Sequence, residues 1–337
     1  CARRGRRPGG VSLLHIVFMG TPDFAVPSLK ALLAAGFHVA GVFTQPDRAR
    51  GRGHKVTYSP VKAAALEANL PVFQPRRLRD PEALEALRRL APDVIVVVAF
   101  GQLLPKEVLE LPPLGCINVH ASLLPKYRGA APIQAAIAAG ETVTGVTTMY
   151  MDEGLDTGDM ILRREVPIGP EDDAGTMHDK LADAGAELLV ETLRLVAAGA
   201  APRTPQDDAQ ATYAPKVERE HAAIDWRKSA AELFHHVRAY RPWPGAYTGH
   251  RGRILKILDV VPLEDAPDAG EAQGADRAEP GRVVAVMPDG FVVQTGRGRL
   301  LVRRVQPPGA AAMSGRDYVN GYRLAAGQRL ETPETAS

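Results

Sequence analysis

Residues 93–100 have the sequence DVIVVVAF, an almost unbroken apolar run that decides the fold. A strand with one side in solvent alternates apolar and polar residues, whereas a strand covered on both faces, as in a parallel sheet, does not. We therefore predict a buried central strand here. Further strands of the same half are predicted, in chain order, at 13–18, 37–43, 116–120, 146–151 and 160–166.

Helices are predicted between these strands. Ser59 is a favourable N-cap and Pro60 suits the first helical position, so a helix is expected to begin there. Strands that alternate with helices favour a parallel, doubly wound α/β domain, which we place at residues 13–199. The predicted helices of this domain cover 24–36, 59–69, 81–90 and 174–198.

The pattern changes after Gly199. Residues 200–222 contain several prolines and little periodicity, which predicts a linker. A second domain is expected at 223–331, because a helix predicted at 228–238 is followed by short strands separated by turns, as in a small β-barrel. These strands are 253–261, 281–287, 290–295 and 299–306. The basic tail 1–12 and the acidic insertion 264–279 are predicted to be disordered.

The chain has 337 residues, of which 45% are hydrophobic and 24% charged, so general disorder is excluded. Its two cysteines, Cys1 and Cys116, exclude a disulfide framework and a zinc-thiolate cluster and fit a reducing compartment. No apolar run reaches the roughly 18 residues that a membrane span needs, and we predict no signal peptide. A cytoplasmic protein is therefore expected.

Charge is unevenly distributed behind a formal net charge of +2. Residues 1–79 contain 13 Lys and Arg against 3 Asp and Glu, whereas residues 141–191 contain 3 basic and 13 acidic residues. A basic region attracts a polyanion through phosphate pairing and counterion release. Solvated surfaces are the alternative, and charge alone favours them because four of the basic residues lie in the tail.

Polar residues occur at the end of the strand predicted at 116–120. Asn118 and His120 are two residues apart, so both lie on one face of that strand, where their N–H groups could stabilise an oxyanion. A structural histidine is the alternative. The turn 152–158 also lies near this edge, and Asp152 or Asp156 could orient the imidazole or serve only as a turn former. Spacing does not separate these readings.

Residues 44–58 are predicted to form a loop, which is long for a compact α/β domain. The loop contains Arg48, Arg50, Arg52 and Lys55 among glycines, a composition that suits phosphate binding, although a flexible solvated loop is equally expected. The earlier turn Met19–Pro22 lacks the GxGxxG fingerprint. A dinucleotide-dependent dehydrogenase is therefore disfavoured.

Extended stretches of this sequence resemble the methionyl-tRNA formyltransferase family, within the N10-formyltetrahydrofolate transferase superfamily, over about residues 13–330. The superfamily pattern is NVHASLLPKYRG (118–129), followed downstream by the Asp-x-Gly of Asp156–Gly158. The tRNA-specific stretches are QPDRARGRGHK (45–55) and RPWPGAY (241–247). His54 and the pair Ala310–Ala311 depart from the basic residues usual in this family.

The resemblance implies a Rossmann-type formyltransferase domain followed by a small OB-like barrel that helps to hold tRNA. The implied activity is transfer of a formyl group from 10-formyltetrahydrofolate to the α-amine of initiator methionyl-tRNA, by a monomer without a metal. The implied catalytic residues are Asn118, His120 and Asp156. The implied folate-binding residues are Ser122, Leu123, Leu124, Pro125, Phe100, Gly101, Leu103 and Leu104. The implied tRNA-binding residues are Arg48, Arg50, Arg52 and Lys55.

Two further alternatives remain open at this stage. A formyltransferase acting on a nucleotide sugar or on glycinamide ribonucleotide would carry the same catalytic residues, and only the basic loop and the C-terminal barrel favour tRNA. A non-catalytic RNA-binding module with a degenerate enzyme domain is the other alternative, which the complete set of Asn118, His120 and Asp156 disfavours.

Overall fold

The computed structural model describes residues 14–50, 55–263 and 278–333. The basic tail, Arg52 and nearly all of the acidic insertion lie outside these residues. Two compact units are present: the described residues of 14–132, 143–167 and 178–214 form the first, and those of 133–142, 168–177 and 215–333 form the second. The predicted limits of the domains and of the linker stay predictions.

The first half of the chain alternates strands and helices, as predicted. Its strands are β1 His15–Gly20, β2 His38–Phe43, β3 Arg48–Arg50, β4 Lys55–Thr57, β5 Val72–Phe73, β6 Val94–Val98, β7 Cys116–His120, β8 Arg128–Gly129, β9 Val143–Tyr150, β10 Met160–Pro167 and β11 Tyr213–Ala214. Its helices are α1 Val26–Ala34, α2 Pro60–Glu67, α3 Pro81–Leu90, α4 Lys106–Leu109, α5 Pro132–Ala138 and α6 Ala174–Ala197.

Within the described residues, seven strands form the main sheet in the order β10-β9-β7-β6-β1-β2-β5. All five residues of β6 are buried, which confirms the central strand expected from the apolar run. The α/β class is confirmed, and the sheet is mixed: the predicted parallel arrangement does not hold for β9, which runs antiparallel to both β7 and β10. The turn between β9 and β10 contains no helix, and strands joined in this way pair antiparallel.

Helices α3 and α6 pack against the strands of the main sheet. One core cluster joins Val17 and Met19 of β1 to Ile95 of β6 and to Leu87 of α3. On α6, Thr192 Oγ1 lies 2.8 Å from Thr148 Oγ1 of β9, and a Cβ at Gly185 would come within 2.9 Å of Val119 of β7. This close approach of α6 explains why the strands read as continuous apolar runs.

The basic segment 44–58, predicted to be a loop, contains an antiparallel hairpin instead. Its strands β3 and β4 pair Arg48 with Thr57 and Arg50 with Lys55. A periodicity argument misses strands of three residues, because they hold too few positions for alternation to be visible.

The second unit is built around an antiparallel sheet, as predicted. Its strands are β12 Tyr247–His250, β13 Arg253–Leu263, β14 Val283–Met287, β15 Gly290–Gln294, β16 Arg299–Gln306 and β17 Met313–Ser314, and its helices include α7 Ala230–Ala239 and α8 Gly315–Tyr322. The strand order is β12-β13-β16-β15-β14, with β17 beside β16. Gly249 bridges Glu331 and Arg282 bridges Arg329, so one C-terminal segment pairs with both edge strands. The sheet therefore closes on itself.

Candidate active site

Strands β6 and β7 are adjacent and parallel, with Val97 opposite Asn118. Parallel neighbours end at the same edge of a sheet, which is where ligands bind in open α/β folds. Segment 99–104 leaves this edge from β6, and Asn118 and His120 are at the end of β7. Strand β2, which precedes the β3–β4 hairpin, ends at the same edge. The fold thus delivers three of the predicted segments to one side.

Asn118, His120 and Asp156 converge there. His120 Nδ1 lies 3.7 Å from Asp156 Oδ2, and Asn118 Nδ2 lies 3.5 Å from Asp156 Oδ1. The side chains of His120 and Asp156 are 7% and 14% exposed, so water has little access to them. The expectation that the Asp156 turn lies beside His120 is confirmed. The catalytic roles of the three residues stay predictions.

Backbone groups of one segment fix the two ends of this arrangement. The Tyr127 carbonyl lies 2.9 Å from His120 Nε2 and can only accept, so Nε2 carries a proton and donates it to this bond. The Gly129 N–H donates to Asp156 Oδ2 over 2.9 Å. Two short contacts therefore orient the imidazole and the carboxylate, while the contacts between the three side chains themselves are loose.

The two candidate carboxylates of the turn 152–158, those of Asp152 and Asp156, make different contacts. Asp152 Oδ1 accepts from the Gly154 N–H at 2.9 Å and from Thr157 Oγ1 at 2.7 Å, so Asp152 is a turn former. Asp156 has a left-handed backbone, with φ 55°, and its carboxylate faces His120. A Cβ at Gly158 would lie 1.7 Å from the Tyr150 carbonyl oxygen, so only glycine fits at this position.

The predicted folate-binding residues fall into three groups by exposure. Phe100, Ser122 and Leu124 are buried, and Phe100 is part of the core cluster under β6. Leu103 is 89% exposed, and Gly101 is also exposed. Leu104, Leu123 and Pro125 are intermediate. The residues with buried side chains can offer a ligand only their backbone groups, and their side chains support the site from below. Leu103 instead offers an apolar surface to a ligand.

A polar cluster lies at the root of the basic hairpin. Lys62 Nζ donates to Asp47 Oδ2 at 2.5 Å and to Gln74 Oε1 at 2.8 Å, and Gln74 Nε2 donates to Asp47 Oδ1 at 2.8 Å. The hydrogen bond from Lys62 holds the pKa of Asp47 below its usual value, and that from Gln74 acts in the same direction. Asp47 therefore stays ionised where the hairpin begins. Arg48, Arg50 and Lys55 lie on the hairpin strands, and their predicted tRNA contacts stay predictions.

Other reactive groups of the described residues do not form a second centre. Burial raises the pKa of the Cys116 thiol to about 12, so it is protonated at neutral pH and unsuited to nucleophilic chemistry. No group of three or more His, Cys, Asp or Glu side chains in residues 14–50, 55–263 and 278–333 is arranged to hold a metal ion. No helix of the described part of the chain is long and apolar enough to span a bilayer.

Sequence reasoning missed the roles of Tyr127 and Gly129. Their contributions are a carbonyl and an N–H, which every residue except proline carries, so no residue type could signal them. The only trace was their place in the stretch KYRG, directly after the segment that begins at Asn118.

The comparison with known proteins agrees with this geometry. Residues 14–193 match the Formyl transferase family and residues 216–323 match the Formyl transferase C-terminal domain. The chain belongs to the formyl transferase family. Its relatives include the methionyl-tRNA formyltransferase of Symbiobacterium thermophilum, 56% identical over 96% of this chain and 97% of that protein.

Solved formyltransferase structures share the fold at low identity. An N-formyltransferase from Helicobacter canadensis, in complex with folinic acid and dTDP-3-aminofucose, has a TM-score of 0.64 at 17% identity and covers 86% of this chain and 99% of that one. HypX from Aquifex aeolicus in complex with tetrahydrofolic acid has a TM-score of 0.58 at 19% identity, and covers 94% of this chain and 48% of that one.

Proposed function

We propose that this protein transfers a formyl group from 10-formyltetrahydrofolate to the α-amino group of methionine on initiator tRNA. The observation that carries the proposal is the convergence of Asn118, His120 and Asp156 at the strand edge. These three residues belong to a chain that is 56% identical, over nearly its whole length, to a protein named methionyl-tRNA formyltransferase. We propose accordingly that the protein takes part in translation initiation and acts in the cytoplasm.

The geometry suits stabilisation of an oxyanion. When an amine attacks a formyl carbon, negative charge develops on the carbonyl oxygen. The contacts of Asn118 Nδ2 and of His120 Nδ1 to Asp156 are 3.5 Å and 3.7 Å, longer than strong hydrogen bonds, so a charged acceptor would compete well for both groups. Because Nε2 already donates to the Tyr127 carbonyl, Nδ1 acts as a donor in the imidazolium form, and we propose that form of His120 for the reaction. Preorganised donors in a site of low dielectric typically supply about 2.7–4 kcal/mol each.

Asp156 completes the arrangement. Its carboxylate lies beside both donors and can accept the proton that the attacking amine must lose, directly or through water. Gly129 holds it in place through a 2.9 Å hydrogen bond, so the base is fixed before the substrate arrives. The Tyr127 carbonyl fixes the His120 ring in the same way, and that ring turns its Nδ1 edge toward the reacting atoms.

The exposed side chain of Leu103 offers an apolar surface on which a flat pterin ring can pack. We assign the folate to segment 100–104 and to residues 122–125, which both start at the edge that carries His120. Bound there, the donor supplies the formyl carbonyl that the amine attacks. Collapse of the tetrahedral intermediate then breaks the bond between the formyl carbon and N10, N10 takes up a proton, and tetrahydrofolate leaves.

The tRNA is assigned to the β3–β4 hairpin and the C-terminal unit. The hairpin strands carry Arg48, Arg50 and Lys55, and guanidinium and ammonium groups pair with phosphates. We propose that the protein acts as a monomer, and that the binding and catalytic steps need no metal.

A sugar nucleotide is the principal alternative acceptor, because the Helicobacter canadensis enzyme shares the fold. That likeness is at 17% identity, against 56% for the methionyl-tRNA enzyme, and it therefore argues for fold alone. The acceptor assigned here follows the closer similarity.

A panel of acceptors tests the proposal. The purified protein is given 10-formyltetrahydrofolate with methionylated initiator tRNA, methionylated elongator tRNA, glycinamide ribonucleotide or an amino sugar nucleotide. We expect rapid formylation of the initiator tRNA and at least tenfold slower transfer to every other acceptor. Transfer confined to a small acceptor would contradict the assignment of tRNA, and transfer to none would contradict the activity.

A further inference from the structure

Gln206, in the segment between α6 and β11, uses every polar atom of its amide in contacts around the candidate active site. Its Nε2 donates to the carbonyl oxygens of Asp156 and Gly158, each over 2.8 Å. Its Oε1 accepts from Arg128 Nε over 3.0 Å. The side chain therefore joins the turn that carries Asp156 to residue 128.

Arg128 lies between the two residues that hold the catalytic candidates. The preceding residue, Tyr127, accepts the His120 bond, and the following residue, Gly129, donates to Asp156. The Arg128 side chain is 2% exposed, a burial that large cationic side chains tolerate only when they are well paired. Gln206 Oε1 is one of its side-chain acceptors, and Asp208 is another at 2.8 Å.

The backbone beyond Gln206 supports the same segment. Strand β11 pairs with β8, with Tyr213 opposite Arg128, and the Thr212 carbonyl accepts from the Arg128 N–H at 2.8 Å. Thr212 Oγ1 also accepts from the Tyr127 N–H at 2.8 Å. The Tyr127–Gly129 segment is thus anchored on one side by strand pairing. The Asp156 turn is linked to that anchor through its backbone by Gln206 and through the Asp156 side chain by the Gly129 N–H.

We propose that Gln206 is a positioning residue for formyl transfer: it holds the Asp156 turn against the Tyr127–Gly129 segment and so sets the distance from Asp156 to His120. The inference rests on the proposed function. Without the two Gln206 donors, the carbonyls of Asp156 and Gly158 lose their partner and the turn moves away from His120. A displacement of about 1 Å at a catalytic group can cost on the order of 10²-fold in rate.

Kinetics of two variants and a matched control test this role. Gln206→Met keeps the length of the side chain but removes its hydrogen bonds, and Gln206→Glu keeps an acceptor for Arg128 while removing both donors to the turn. The control is Gln210→Met, because Gln210 lies in the same segment but its amide donates to Asp207 and not to the Asp156 turn. We expect kcat to fall 10- to 100-fold in both Gln206 variants, with KM for tRNA and folate within twofold of wild type, and no change in the control.

Three outcomes would overturn the proposal. One is kcat within twofold of wild type in Gln206→Met. Another is a loss of rate in Gln206→Met that Gln206→Glu does not share, since the Arg128 contact would then matter and not the turn. The third is a parallel rise in both KM values, which indicates general loss of structure.

Amide hydrogen exchange supplies a readout that does not depend on activity. The Gly129 N–H is bonded to Asp156, so displacement of the turn should speed its exchange about tenfold or more in both Gln206 variants but not in Gln210→Met. Unchanged exchange at Gly129 would overturn the positioning role even if the wild-type protein formylated no acceptor. Failure of the acceptor panel with faster Gly129 exchange would instead overturn the proposed function and leave the positioning role of Gln206 standing.

Discussion

Asn118 and His120 present hydrogen-bond donors on one face of β7. Substitution of either residue distinguishes a role in oxyanion stabilisation from a purely structural role. Alanine at either position removes a donor, and we expect kcat for formylation of methionyl-tRNA to fall by a factor on the order of 10² or more. Substrate KM values should change little, because the donors act when charge develops. Near-normal turnover in both variants would refute the assigned roles.

The charge of the Asp156 carboxylate can be removed without a large change in the size of the side chain. Asp156→Asn keeps an oxygen that can accept from the Gly129 N–H but removes the negative charge and the proton acceptor. We expect kcat to fall about 10²- to 10⁴-fold, the range usual for loss of a general base. Asp179→Asn is the control, since Asp179 is an exposed carboxylate beside His178 on α6. Equal activity of the two variants would remove Asp156 from the mechanism.

His236 on α7 couples proton binding to folding. Burial lowers its pKa to about 4, and its Nε2 has no hydrogen-bond partner among the described residues. An unfolded histidine has a pKa of about 6.5, so the unfolded chain binds the extra proton between these values and stability falls as pH drops through that window. We expect His236 to account for a loss of about 1–2 kcal/mol between pH 7 and pH 5. Urea unfolding at both pH values should show the loss reduced by this amount in His236→Phe, and an unchanged loss would contradict it.

At the scale of elements, the β3–β4 hairpin is a short basic unit fixed at its root by the cluster of Asp47, Lys62 and Gln74. We expect Arg52→Ala to raise KM for methionyl-tRNA several-fold and to reduce the salt dependence of tRNA binding by about one unit of slope, with folate affinity unchanged. The control is Arg89→Ala on the exposed face of α3. Titrations of tRNA at several salt concentrations give both quantities. Equal slopes for the two variants would exclude Arg52 from the tRNA interface.

At the scale of the whole molecule, the α/β class, the order of the longer elements and the pair of Asn118 and His120 were predictable from patterns in the sequence, and the family resemblance added Asp156. Long apolar strands and the two-residue spacing of Asn118 and His120 can each be recognised within a short stretch of sequence, without knowledge of tertiary contacts. The antiparallel direction of β9 was not predictable, because it depends on pairing with β7, which is distant in sequence. The β3–β4 hairpin was missed because its strands are too short to show alternation, and spacing alone did not separate Asp156 from Asp152. The contact of the Tyr127 carbonyl with His120 was not predictable either, because a backbone group makes it.

The C-terminal segment that pairs with both edge strands also gives a global test. Leu330 is 1% exposed in the core cluster of the second unit, and its N–H donates to the Gly281 carbonyl at 2.8 Å. We expect Leu330→Ala to lower the free energy of unfolding by about 3 kcal/mol, as usual for truncation of a buried leucine. Ile254→Ala, at a residue 54% exposed on β13, should cost far less. Similar urea midpoints for the two variants would show that the segment does not close the barrel.

The steric exclusion of a Cβ at Gly158 has a use beyond this chain. Since any other residue there would collide with the Tyr150 carbonyl and displace the turn, the acid and the glycine two positions later form one inseparable unit. A paralogue that keeps the aspartate but has lost the glycine should thus be a pseudoenzyme, recognisable in a genome without an assay.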